Sequence, residues 1–165
     1  MPATDLNLPT KPHVCAALQT VLTEQLHSLA AAVQAAVSGA TDAEARPENK
    51  YDTRALEQSY LAAGQTERIE ALRLTLGALH NWQPPPNLSR VEPGALVQVN
   101  DTKGIYWVFV TPFAAAATLQ VAGLVVQTVW RNAPLALALL GKGAGDEVTV
   151  KVAGGQRELE ILAVY

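Results

Sequence analysis

The chain has 165 residues, 49% of them hydrophobic but only 5% aromatic, and a formal net charge of −3. That length fits one ordinary domain or two small ones around an aliphatic core, and the mild negative charge excludes a global attraction for nucleic acid. A single cysteine, Cys15, excludes an intrachain disulfide framework and any multi-cysteine metal site.

The opening "MPATDLNLPTKPH" is polar and proline-punctuated, unlike a secretory signal. No uncharged run is apolar enough for a membrane span, so a cytoplasmic setting is expected. From about Pro12, Leu22, Leu26, Leu29, Val33 and Ala36 recur at spacings of four and three, which predicts one apolar helical stripe. "SGATD" at 38–42 supplies a glycine stop and cap residues. Pro47 suits the first turn of a second helix, expected over Glu48–Leu79 with Ala55, Ala62, Ile69, Leu72, Leu76 and Leu79 on one face. Two such helices joined by a short loop predict an antiparallel hairpin, or coiled coil, projecting roughly 45 Å. Residues 1–87 hold nine acids and six bases, and five of those acids fall between Asp42 and Glu57, at the expected tip.

"QPPPN" at 83–87 cannot continue a helix and marks a stiff linker between an expected helical domain, 1–82, and a β-rich domain, 88–165. In the latter, "ALVQV" at 95–99 and "IYWVFV" at 105–110 predict strands around the turn "NDTKG". "LQVAGLVVQTVW" at 119–130 predicts further strand, broken near Gly123. Pro134 opens a short helix, "PLALALLG", ended by Gly141. "DEVTVKV" and "RELEILAVY" close the domain as a hairpin over "AGGQ". Leu135, Leu137, Leu139 and Leu140 are expected to cover the sheet, Asp146 and Glu147 to sit in water, and Trp82, Trp107 and Trp130 to occupy the core or a domain interface. The fold class is therefore α+β, a helical hairpin followed by a sheet with one helix.

The stretch "APLALALLGKGAGDEVTVKVAGGQRELEILAVY" is similar to the carboxy-terminal domain of the bacterial transcript-cleavage factors GreA and GreB. Pro134, Leu135, Ala138, Leu139, Leu140, Gly141, Lys142, Gly145, Asp146, Glu147 and Val148 match that family's pattern, while Ala133 and Ala136 stand where it usually has Ser and Gly. "ENKYDTRALEQSYLAAGQTERIEALRLTL" resembles the second helix of the family's coiled coil. The resemblance implies an FKBP-like second domain without prolyl isomerase activity. It also implies docking at the rim of the secondary channel of bacterial RNA polymerase, with Pro134, Leu135, Lys142, Asp146 and Glu147 as candidate docking residues.

In that family the hairpin tip carries an Asp and, three residues later, a Glu, in the pattern Asp-Leu-x-Glu-Asn. The pair helps to hold a second Mg²⁺ and to orient the water that cuts backtracked RNA, because hard oxygen ligands on a protruding arm complete a cation site shared with the polymerase. Such a factor is an accessory protein, without enzymatic activity or cofactor of its own, and meets the nascent RNA 3′ end only indirectly. Here Glu48 and Asn49 match, whereas Ala45 stands at the acid position. Asp42, Glu44 and Asp52 are nearby acids without the required spacing, so Glu48 is the expected contributor to the shared Mg²⁺. Those departures point to a regulator more than a cleavage stimulator.

Two alternatives stand beside this expectation: a non-cleaving polymerase inhibitor of the same superfamily, and a coiled-coil oligomerisation module. A capped, solvated loop accounts equally for the tip acids. His13, His27 and His80 are too widely separated for a metal site, "GKGAG" at 141–145 lacks the context of a phosphate loop, and sequence-specific DNA binding is not expected.

Overall fold

Thr10 begins the ordered helical structure: its hydroxyl accepts a hydrogen bond from the His13 amide at 3.4 Å and its carbonyl one from Val14 at 2.9 Å, so it caps a helix with Pro12 in the first turn. The computed structural model describes residues 8–41 and 54–165. The chain enters α1 (Lys11–Thr41) and then α2 (Arg54–Asn81), followed by β1 (Leu96–Asp101), β2 (Gly104–Thr111), β3 (Ala117–Val121), β4 (Leu124–Trp130), α3 (Pro134–Leu139), β5 (Glu147–Val152) and β6 (Gly155–Val164). Helices first, then a sheet with one short helix, is the α+β class expected.

Contacts divide the chain into two compact units, residues 1–19 with 78–165, and residues 20–77. The proline-rich segment 83–87 lies inside the first unit, with the beginning of α1 and the end of α2. In the second unit, Val21, Leu29 and Ala32 of α1 share a groove of about 450 Å³ with Arg68 and Leu72 of α2. The α1 stripe shifts toward its start relative to expectation: Val14, Leu18 and Leu22 are buried, Leu26, Leu29 and Val33 half-buried, and Ala36 exposed. On α2, Ile69 and Leu79 are buried, and Ala62, Leu72 and Leu76 half-buried. α1 is described to Thr41, inside the 38–42 stretch expected to stop it, and passes through Gly39, since a lone helical glycine disfavours the helix by only about 1 kcal/mol relative to alanine.

The sheet runs β3-β4-β2-β1-β6-β5, antiparallel throughout except for the parallel pair β2 and β4. The central strand β2 is buried continuously from Trp107 to Thr111, as expected of a strand covered on both faces, whereas the edge strand β5 alternates. The 119–130 run becomes a hairpin turned by Ala122 (φ 54°) and Gly123 (φ 78°), the left-handed pair of a type I′ turn. On one face, Val97, Val99, Val108, Val110, Val148, Val150, Leu159 and Ile161 form a core with Ala136 and Leu139 of α3. Side chains alternate across a strand, so Trp107 and Phe109 face the opposite side. There Trp82 meets Phe109 with ring centroids 6.0 Å apart and Phe113 at 5.3 Å, while Trp107 meets Tyr165 at 5.7 Å.

Two expectations are corrected. Leu137 is 59% exposed, because in a helix of six residues only the side bearing Ala136 and Leu139 meets the sheet. Trp130 is 38% exposed at the end of β4, not in the core.

Candidate functional site

The five candidate docking residues lie along the segment from α3 to β5, where an exposed loop is held by contacts distant in sequence. Pro134 sits in the first turn of α3, where its missing amide N–H forfeits no helical bond. Leu137 and Leu140 donate their amides to Ala133 and Ala136 at 2.9 Å, and Lys142 donates to Leu139 at 3.0 Å, so the helix closes into a turn at Gly141, whose φ of 78° favours glycine.

The loop is then fastened from both sides. Val91 and the turn exchange two backbone bonds at 2.8 Å, Gly141 to the Val91 carbonyl and Val91 to the Lys142 carbonyl. The Arg90 guanidinium donates a third, also 2.8 Å, to the Gly141 carbonyl. Across the loop, Gly145 donates to Ile161 at 2.7 Å and Ile161 donates to Asp146 at 2.9 Å. Asp146 itself is half-buried, and its Oδ2 accepts the Gly143 amide at 2.8 Å. Its carboxylate serves the loop instead of standing free in water, which corrects the expectation for this residue.

The five docking candidates therefore differ in what they offer. Pro134, Lys142 and Glu147 are exposed, Leu135 is half-buried against the core, and Asp146 is engaged with the loop. Arg90, missed by reading the sequence, fixes the loop's backbone from 51 positions away and has no local signal. Replacing Asp146 with alanine should destabilise the protein by about 1 kcal/mol and speed amide exchange at Gly143. Unchanged Gly143 exchange would show that the carboxylate does not hold the loop.

A second polar cluster lies at the β1–β2 turn. Asp101 accepts the Lys103 amide at 2.7 Å through Oδ1 and the Arg157 Nε at 2.6 Å through Oδ2, with Arg157 Nη2 on the same oxygen. The guanidinium lies 5.3 Å from the centroid of the Tyr106 ring. Burial would raise the Asp101 pKa, but the Arg157 hydrogen bond and the Lys103 amide outweigh it and hold the carboxyl below its ordinary value. These residues join β1 to β6, and the arrangement is structural.

Among the described residues, no group of three or more His, Cys, Asp or Glu gathers to hold a metal ion, and no helix is long and apolar enough to cross a membrane. Asp42, Glu44, Glu48, Asn49 and Asp52 lie outside the described residues.

Residues 128–165 match the family model described as transcription elongation factor GreA/GreB, carboxy-terminal. Over 33 residues the chain is 58% identical to transcription elongation factor GreA of Thioalkalivibrio sulfidiphilus (strain HL-EbGR7), a match spanning 20% of this chain and 21% of that relative's length. Among solved structures, Thermus aquaticus Gfh1 is similar at 20% identity and TM-score 0.40, covering 91% of this chain and 95% of its own. The elongation factor GreA/GreB from Nitrosomonas europaea is similar at 21% identity and TM-score 0.37, covering 59% and 91%.

Proposed function

The carboxy-terminal domain of this chain is that of a GreA/GreB-family factor, and on that premise we propose that the protein binds bacterial RNA polymerase and modulates transcript elongation from the secondary channel. The observation that carries the reading is the match over residues 128–165, which contains the Pro134–Val148 pattern and the loop fastened by Asp146 and Arg90. A loop so held presents Pro134, Lys142 and Glu147 without paying much conformational entropy on docking. The α3–β5 surface is the anchor of this reading, and the 42–52 segment is the part that acts at the polymerase active centre, in the cytoplasm. Catalysis stays with the polymerase.

The donor set favours a regulator over a cleavage stimulator. Glu48 brings one carboxylate to a shared Mg²⁺, while Ala45 brings none, and Arg46 and Lys50 add positive charge beside it. A divalent ion bound by one carboxylate instead of two is held more weakly and generates less hydroxide. The chain should co-purify with core polymerase and leave backtracked transcripts largely uncut, with Glu48→Ala changing cleavage little. Robust shortening abolished by Glu48→Ala would overturn the regulator reading, and failure to bind core polymerase would overturn the polymerase reading itself.

A further inference from the structure

A cleft of about 560 Å³ opens inside the unit formed by residues 1–19 and 78–165, between the beginning of α1, the 82–87 segment and the carboxy-terminal tyrosine. We propose that this cleft binds a small planar aromatic molecule carrying one anionic group.

The volume falls in the range of small-molecule sites, which are mostly apolar with a few placed polar groups. Trp82, Pro84, Pro86 and Tyr165 supply flat apolar walls, and among the described residues Lys11 is the single charged one lining the space. The walls are formed in advance. Trp82 is held edge-on to Phe113 and tilted against Phe109, and Tyr165 leans on Trp107 while its backbone pairs with Leu96 at 3.0 and 3.1 Å. The consecutive prolines restrict the third side.

Asn87, also in the lining, has φ 51°, a left-handed conformation that asparagine adopts readily in turns and that turns the chain past the prolines. Binding a rigid, open cleft loses little to reorganisation, and flat walls of this kind suit a ring that stacks or lies edge-on.

Lys11 sets the charge of the ligand. Its ammonium donates to the Pro85 carbonyl, which uses one of its three N–H donors and leaves two for a ligand. Burial lowers its pKa, with Glu92 and Cys15 acting in the opposite direction. A partly dehydrated cation gains from an anion close by, and among the described residues no Asp or Glu side chain lines the cleft. Glu92 is the acidic group that offsets Lys11 from outside the lining, and it sets the background against which an anionic ligand competes. The proposal does not depend on polymerase binding.

Cys15 lines the same cleft and is the chain's single cysteine, so its alkylation by N-ethylmaleimide, followed by intact mass, reports occupancy of this site alone. The thiol is half-buried and burial raises its pKa, so the basal reaction is slow enough to follow. With the full chain and anilinonaphthalene sulfonate as probe, alkylation should slow about tenfold at ten times the dissociation constant. Phenylnaphthylamine, the uncharged analogue, should bind about tenfold more weakly. Lys11→Gln should remove that difference while leaving the circular dichroism spectrum unchanged. Protein alkylated beforehand at Cys15 should lose probe binding with its melting curve intact. Alkylation unaffected by saturating probe, equal affinity for the two compounds in the unmodified chain, or Lys11→Gln retaining the preference would each overturn the proposal.

Discussion

Gly94→Ala should lower the unfolding free energy by about 3 kcal/mol, the sum of backbone strain and a clash that cannot relax. Gly94 has φ +100°, where a side chain is strained in any surroundings, and a Cβ there would fall 2.5 Å from Pro85 Cδ and 3.3 Å from Trp82 Cζ2. Neither neighbour can yield easily. Pro85 stands between two other prolines, and Trp82 is held against Phe109 and Phe113. Gly94 also donates to the Val110 carbonyl at 2.8 Å, so the backbone cannot swing away without breaking a bond to β2.

The natural control is Gly104→Ala. Gly104 has φ +115° but nothing within 4 Å of the added Cβ, so it carries the strain without the clash. In urea denaturation Gly94→Ala should lose about 1–2 kcal/mol more than Gly104→Ala, and Trp82 fluorescence should shift in the first variant alone. Equal losses would show that Pro85 and Trp82 are free to move, and that the cleft they wall is softer than its geometry implies.

The second large effect belongs to the Asp101–Arg157 pair. The Asp101 side chain is fully enclosed and that of Arg157 is 32% exposed, so removing the guanidinium leaves an enclosed carboxylate with only the Lys103 amide. Arg157→Met should therefore destabilise the fold by about 1–2 kcal/mol. The double variant Asp101→Leu with Arg157→Met should recover much of the loss, because the penalty arises from the uncompensated charge and not from the missing attraction.

The pair also predicts a pH dependence. Asp101 titrates below its ordinary value of 3.8 in the folded chain. Its contribution is thus complete above that value and fades as the pH falls through the lowered folded pKa. The parent protein should lose stability over this acid window, and Arg157→Met should show a flatter profile there. An unchanged profile would mean that Arg157 is not what holds the carboxylate ionised.

Much of this architecture was legible along the chain because it depends on neighbours in sequence. Spacings of four and three place Leu22, Leu26, Ile69 and Leu79 on helices, and prolines and glycines at Pro134, Gly141 and Gly123 mark where elements begin, end or turn. The carboxy-terminal pattern at 134–148 is likewise contiguous, which is why the family could be read from it. Even so, Asp146 looked like a solvated acid, since nothing nearby in sequence discloses that the Gly143 amide turns back toward it.

The remaining features arise from residues that only folding brings together. The parallel pairing of β2 with β4, the Arg90 bond to Gly141, the Asp101–Arg157 pair and the seating of Trp82 over Gly94 each join segments whose separation carries no periodic signal. Periodicity tells each element which face to bury, but partners of similar apolar character are interchangeable at that level. Shape, register and the need to satisfy enclosed polar groups remove the degeneracy, and these exist only once the layers are assembled.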